Sequence, residues 1–175
     1  FQRRKLALFS GETQDLINPL LTPSHYIQRA AQPFADFIDV SNADLTTGFS
    51  TLIEQGPSAL ILSDIGSLDA DVETELIQWI ENGGTLIRFA GASLAALSTS
   101  QSGDDLLLPV RLRSGERQFG GSLTWAEPKT LSAFPQNSPF FGIQLSNDIV
   151  IRRQVLAEPS LDLADNTWAS LDDGT

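Results

Sequence analysis

Cysteine and methionine are absent from this 175-residue sequence, and histidine occurs once, at His25. The missing thiol excludes disulfides, thiolate nucleophiles and cysteine-based zinc or iron–sulfur sites. A single imidazole excludes metal sites that need two histidines from this chain. Redox compartment stays open, because a cysteine-free domain suits any of them. No run approaches about 18 consecutive apolar residues and no signal-peptide pattern occurs, so no membrane span is expected here. The lack of methionine and the start at Phe1 suggest a piece cut from a longer chain, which leaves room for an anchor elsewhere.

Positive charge is also scarce: 11 Lys+Arg face 22 Asp+Glu, a formal charge of −11. Nucleic acid is therefore not an expected partner, since neutralising phosphates takes clustered basic residues. Solubility is the plain reading of the acidity. The charge is uneven, however. Between Arg29 and Arg88 there is no Lys or Arg, while Asp36, Asp44, Glu54, Asp64, Asp69 and Glu75 are among the acids that fall there. One negative face and one mixed face would suit a protein partner. With 41% hydrophobic and 19% charged residues the chain can bury a core. At roughly 100–200 residues per domain, one compact domain is expected.

Periodicity gives the element order. Residues 5–9 read as a short buried strand ending at Ser10-Gly11-Glu12. A helical region in two pieces follows, broken at Pro19 and Pro23. Thr22 and Pro23 suit the N-cap and first position of the second piece, and Tyr26, Ile27, Ala30 and Ala31 form its apolar stripe. Residues 36–40 look like a second strand. After Asn42, the spacing of Leu45, Phe49, Leu52 and Ile53 is helical, and Gly56-Pro57 ends that run. Residues 58–63 are almost continuously apolar, as in a strand covered on both faces. Asp69, Asp71, Glu73 and Glu75 then open a helix whose buried stripe is Val72, Leu76, Trp79 and Ile80, with Gly83-Gly84 as its stop. Residues 85–89 are a fourth strand, followed by a short helix to about Leu97.

This alternation predicts a mostly parallel sheet with helices on both faces over residues 1–98. Residues 99–148 are expected to form a loop and an extended or β-hairpin insertion, with turns at Ser114-Gly115 and Gly120-Gly121. Residues 149–157 and 168–171 read as return strands of the same single domain, 1–175. The stop at Asp173-Gly-Thr175 suggests that a further strand lies beyond it.

In open α/β sheets, ligands bind at the carboxyl ends of the strands. The candidate cleft therefore comprises Gly11, Glu12, Asp64, Gly66, Ala90, Gly91 and Ser93. Its glycines permit close backbone approach, and the loops lead to helix N-termini that can hold a small anion. The same glycines can simply make tight turns, and no dinucleotide or Walker-type string occurs. Gly91-Ala92-Ser93-Leu94-Ala95 is a near miss to the G-x-S-x-G elbow. Ser93 would need a base downstream, whereas His25 lies far upstream, so a helix cap explains Ser93 more simply. Acids two residues apart scatter around a helix, so the set from Asp69 to Glu75 is read as a solvated face rather than a cation site. Trp79 fits core packing. Trp125 and Trp168 lie on expected strands and carry no cofactor signature.

Several strings resemble one group of bacterial proteins: Pro57-Ser-Ala-Leu-Ile-Leu-Ser-Asp-Ile-Gly66, Trp79-Ile-Glu-Asn-Gly-Gly-Thr-Leu-Ile-Arg-Phe-Ala-Gly91 and Leu107-Leu-Pro-Val-Arg-Leu-Arg113. Arg153-Gln-Val-Leu-Ala-Glu158 and Thr167-Trp-Ala-Ser-Leu-Asp-Asp-Gly174 extend the match across nearly the whole chain. The group is the class I glutamine amidotransferase-like domain of large membrane proteins with an N-terminal BatA-type (aerotolerance-regulator-like) double-transmembrane region and a C-terminal domain of unknown function. The resemblance implies a flavodoxin-like, amidotransferase-like α/β fold on the periplasmic side of a membrane-anchored protein. True members use a Cys–His–Glu triad. Here Ala90 or a near neighbour stands at the cysteine's place in Phe89-Ala-Gly-Ala-Ser93, and no histidine follows, so no catalytic residue carries over.

The expectation is thus a non-catalytic interaction or small-ligand-sensing module, without cofactor or metal. Its partners would be other domains of the same protein or envelope proteins, with no membrane contact by these residues themselves. The rival is a hydrolase or amidase using Ser93 or a strand-end acid such as Asp64.

Overall fold

A computed structural model describes residues 3–11, 22–38, 40, 45–100, 105–118, 127–146 and 148–175. By its internal contacts the chain divides into two compact units, Phe1–Ser100 and Gln101–Thr175.

The first unit is built on a four-stranded parallel sheet. Strand β1 (Arg4–Ser10) leads to helix α1 (Pro23–Ala31), β2 (Ala35–Phe37), α2 (Leu45–Glu54), β3 (Ala59–Ser63), α3 (Ala70–Glu81), β4 (Thr85–Phe89) and α4 (Ala92–Ser100). The strand order is β2-β1-β3-β4 with every pairing parallel. Chain direction across the sheet therefore reverses between β1 and β3. With right-handed crossovers, that reversal puts α1 on one face and α2 and α3 on the other. Accordingly α2 packs on α3, and the Ser50 hydroxyl donates to the Glu75 carboxylate at 3.0 Å.

Burial follows the apolar pattern except at the end of α3, where Trp79 and Ile80, expected in the buried stripe, are only half-buried. All five residues of β3 are buried, because it is a central strand covered from both sides. Phe49 and Leu52 of α2, Val72 and Leu76 of α3 and Leu94 of α4 complete the core around Ala7, Leu60 and Leu62. At roughly 25 cal/mol per Å2, each of these larger side chains contributes about 1.5–3 kcal/mol on burial. Trp79 lies against Gly84, where a Cβ would collide with the indole ring. Gly83 ends α3 at φ 96, a left-handed conformation that a residue with a side chain rarely adopts.

Three local expectations change. The second strand is three residues, 35–37, rather than 36–40; Ile38 still donates to the Leu6 carbonyl at 2.8 Å, while residue 39 lies outside the described residues. Helix α4 runs to Ser100, so residues 98–100 are helical rather than loop. Helix α1 begins at Pro23 as read, but the Thr22 side chain makes no capping hydrogen bond and no residue of α1 is buried. Tyr26, expected in an apolar stripe, is 61% exposed.

The second unit differs more. Strand β5 (Leu112–Gln118) passes straight through Ser114-Gly115 and pairs antiparallel with β6 (Arg153–Ala157). The expected hairpin turn at 114–115 is instead a register irregularity between Leu112 and Glu116. Gly120-Gly121 and Trp125 lie outside the described residues. Residues 149–152 are not part of a strand, although Ile151 makes a single bridge to Lys129. The expected strand 168–171 is likewise one bridge, Leu131 to Leu171. Polar groups hold that bridge in place: the Thr130 hydroxyl donates to Asp172 at 3.1 Å, and the Ser132 hydroxyl to the Leu171 carbonyl at 2.9 Å. Trp168 is 54% exposed and meets Phe140 edge-on at 6.2 Å. None of the described helices is long and apolar enough to cross a membrane.

Candidate functional site

The carboxyl ends of β1, β3 and β4 bring Gly11, Asp64, Gly66, Gly91 and Ser93 together. The loops are tied by backbone bonds: Gly11 N–H donates to the Ser63 carbonyl, and Asp64 N–H to the Phe89 carbonyl, both at 2.9 Å. Approach is close enough to exclude side chains. A Cβ at Gly11 would collide with the Asp64 carbonyl oxygen, one at Gly91 would stand 2.5 Å from Asp64 Cγ, and one at Gly66 would stand 3.0 Å from the Ser93 carbonyl oxygen. Ala90 is exposed beside them, and Glu12 lies outside the described residues.

Asp64 is the centre of this arrangement. Its backbone is left-handed at φ 50, which turns the side chain from the end of β3 towards α4. Its Oδ1 accepts the N–H groups of Ser93 at 3.0 Å and Leu94 at 3.1 Å. These are orphan donors of the first turn of α4, so Asp64 caps that helix from 29 residues away. The negative carboxylate also lies at the positive end of the helix dipole. An anion site of the kind expected at this edge is therefore formed, and the chain's own carboxylate fills it.

Sequence reasoning singled out every described member of this cluster but missed what Asp64 does. It also missed Arg88, whose guanidinium donates to the carbonyls of Ile65 and Gly66 at 3.1 Å and pins the loop after β3 to β4. Neither contact is local, so neither has a short-range signal.

Ser93 is exposed, and its N–H is committed to Asp64. His25 sits in the first turn of α1, which contacts β1, and β1 lies two strands from β4. Among the described residues no three His, Asp or Glu side chains converge in a way that could hold a metal ion. Asp71, Glu73 and Glu75 stand along α3, with Glu75 bonded to Ser50.

A cleft of the first unit lies elsewhere. It occupies about 910 Å3 where β1, α1, β2 and the residues after β2 meet. Leu8, Phe9, Phe37 and Ile38 line it on the sheet side, and Ser24, His25, Gln28, Arg29 and Gln32 on the helix side. At its rim Arg3 pairs with Asp36 at 3.2 Å and donates to the Ala35 carbonyl at 3.0 Å and to the Gln32 carbonyl. Sequence reasoning gave His25 no role and did not find this cleft, because α1 reads there as an ordinary packing helix. Compared with known proteins, the chain matches no protein-family model, no curated protein and no solved structure.

Proposed function

We propose that this chain is a non-catalytic, flavodoxin-like module of class I amidotransferase-like descent within a membrane-anchored bacterial protein. It works through association with other domains of that protein or with envelope proteins, on the periplasmic side. The family and the location rest on the sequence strings quoted above. The observation that carries the non-catalytic reading is the Asp64 carboxylate seated on the first N–H groups of α4. An acyl-transfer site needs a nucleophile, a base within hydrogen-bond reach and free N–H donors for the oxyanion. At this elbow Ala90 or a near neighbour stands where the nucleophile is expected, the helix that carries the imidazole contacts β1, two strands from β4, and the N–H groups of Ser93 and Leu94 are taken by Asp64.

An association role draws support from the second unit. Phe140 and Trp168 meet edge-on there and are both exposed, as are Phe141, Ile143 and Val150, and contiguous exposed apolar side chains mark contact surfaces. A serine-directed fluorophosphonate probe tests the reading. The expected result is no labelling of the chain, with no glutaminase or esterase turnover. Labelling at Ser93 that disappears in Ser93→Ala would overturn it in favour of a hydrolase.

A further inference from the structure

The sequence holds a single Asn-Gly pair, Asn82-Gly83, and it falls at the end of α3. An asparagine before glycine is chemically vulnerable, because no Cβ shields the next backbone nitrogen from the side-chain amide. That nitrogen can lose its proton and bond to the asparagine Cγ. The Cγ–Nδ2 bond then breaks, and Nδ2 leaves with a proton as ammonia. Water opens the resulting cyclic imide to aspartate or isoaspartate. Water reaches this pair, since Asn82 and Gly83 are both exposed.

The fold holds each participant off that path. Gly83 N–H donates to the Ile80 carbonyl at 2.9 Å, and Gly84 N–H to the Trp79 carbonyl at 3.0 Å. With Gly83 at φ 96, this is the Schellman arrangement of a helix end. The N–H that must lose its proton is therefore engaged. The Asn82 Nδ2 donates to the Gln78 carbonyl at 2.8 Å, which holds the side-chain amide back along the helix. At φ −81 and ψ 9 the Gly83 nitrogen nearly eclipses the Asn82 backbone nitrogen, whereas ring closure requires it beside Cβ.

We infer that Asn82 is a deamidation site that the last turn of α3 keeps closed, so that reaction proceeds only when this turn opens. The product does not rebuild the turn. Aspartate at this position has no Nδ2 to donate to Gln78. It also sets a second carboxylate beside Glu81 at the negative end of the helix dipole, where the last turn carries no basic residue. Isoaspartate in addition lengthens the main chain by a carbon within the turn. The inference rests on neither the association reading nor the non-catalytic one.

Incubation of the whole 175-residue chain at mildly alkaline pH, native and in guanidinium chloride beyond the unfolding midpoint, is the test. Peptide masses and isoaspartyl methylation locate and quantify the product. Conversion at Asn82 should be at least about tenfold slower in the native chain, an opening free energy of about 1.4 kcal/mol or more. Gln78→Gly, at an exposed position inside α3, should raise the native rate about fivefold and leave the rate in denaturant unchanged. Asn82→Asp should lower the melting temperature by about 2–4 °C. Equal rates in the native and denatured chain, an unchanged native rate in Gln78→Gly, or earlier conversion of another asparagine in denaturant would each overturn the inference. A melting temperature of Asn82→Asp at or above the parent's would do so too.

Discussion

Asp64 makes two demands of its own position that pull in different directions. The left-handed backbone at φ 50 favours glycine, whereas the capping of α4 requires a carboxylate. Aspartate is among the few residues with a side chain that tolerate this conformation. Asp64→Ala loses the cap and keeps the backbone cost, whereas Asp64→Gly loses the cap and relieves it. We predict a loss of about 2 kcal/mol for Asp64→Ala and about 1 kcal/mol less for Asp64→Gly, read by urea unfolding. The neighbouring glycines separate by what they touch. Gly11→Ala meets a backbone carbonyl that cannot swing aside, while Gly91→Ala meets a side chain that can. Gly11→Ala should therefore be the more destabilising, by about 1–3 kcal/mol or more, in the same measurement. Legibility at this scale was uneven. The glycines announced close approach, but the carboxylate that fills the approach is set by a contact between residues 29 positions apart.

Elements differ in how much they hold the fold. On α3, Leu76 is fully buried against the core, so Leu76→Ala should cost about 2–5 kcal/mol. On α1, Tyr26 is mostly exposed, and Tyr26→Ala should fall within about 0.5 kcal/mol of the parent. Thermal or urea unfolding of the two variants checks the contrast; equal losses would show that α1 is packed as its apolar stripe suggests. The parallel sheet was readable because each strand is a short apolar run and each helix carries a 3.6-residue stripe between recognisable stops. The β5–β6 ribbon was not. Ser114-Gly115 has turn chemistry, yet it lies inside a strand whose partner begins more than thirty residues later. Local propensity proposes a turn there, and long-range pairing overrides it. Helix α1 misled in another way: of its stripe Tyr26, Ile27, Ala30 and Ala31, only Ile27 and Ala31 are half-buried, and Tyr26 and Ala30 are exposed.

For the whole molecule, the acidic balance predicts behaviour that depends on no single contact. With a sequence pI near 4.3, the chain should remain dispersed at neutral pH and show a solubility minimum close to pH 4.3, followed by turbidity across an acid titration. A minimum displaced well away from that pH would mean that the charges are not independently solvated. Sequence alone determined the chemistry that is out of reach: thiol chemistry and two-histidine metal sites require side chains this chain does not have. It also determined the alternating strand–helix order of the first hundred residues, because hydrophobic periodicity is a local property that each segment carries by itself. The tertiary structure decided which strand lies beside which, and that the first N–H groups of α4 meet the Asp64 carboxylate. Those outcomes depend on distances between residues far apart in the chain, and only the folded packing of the elements fixes such distances.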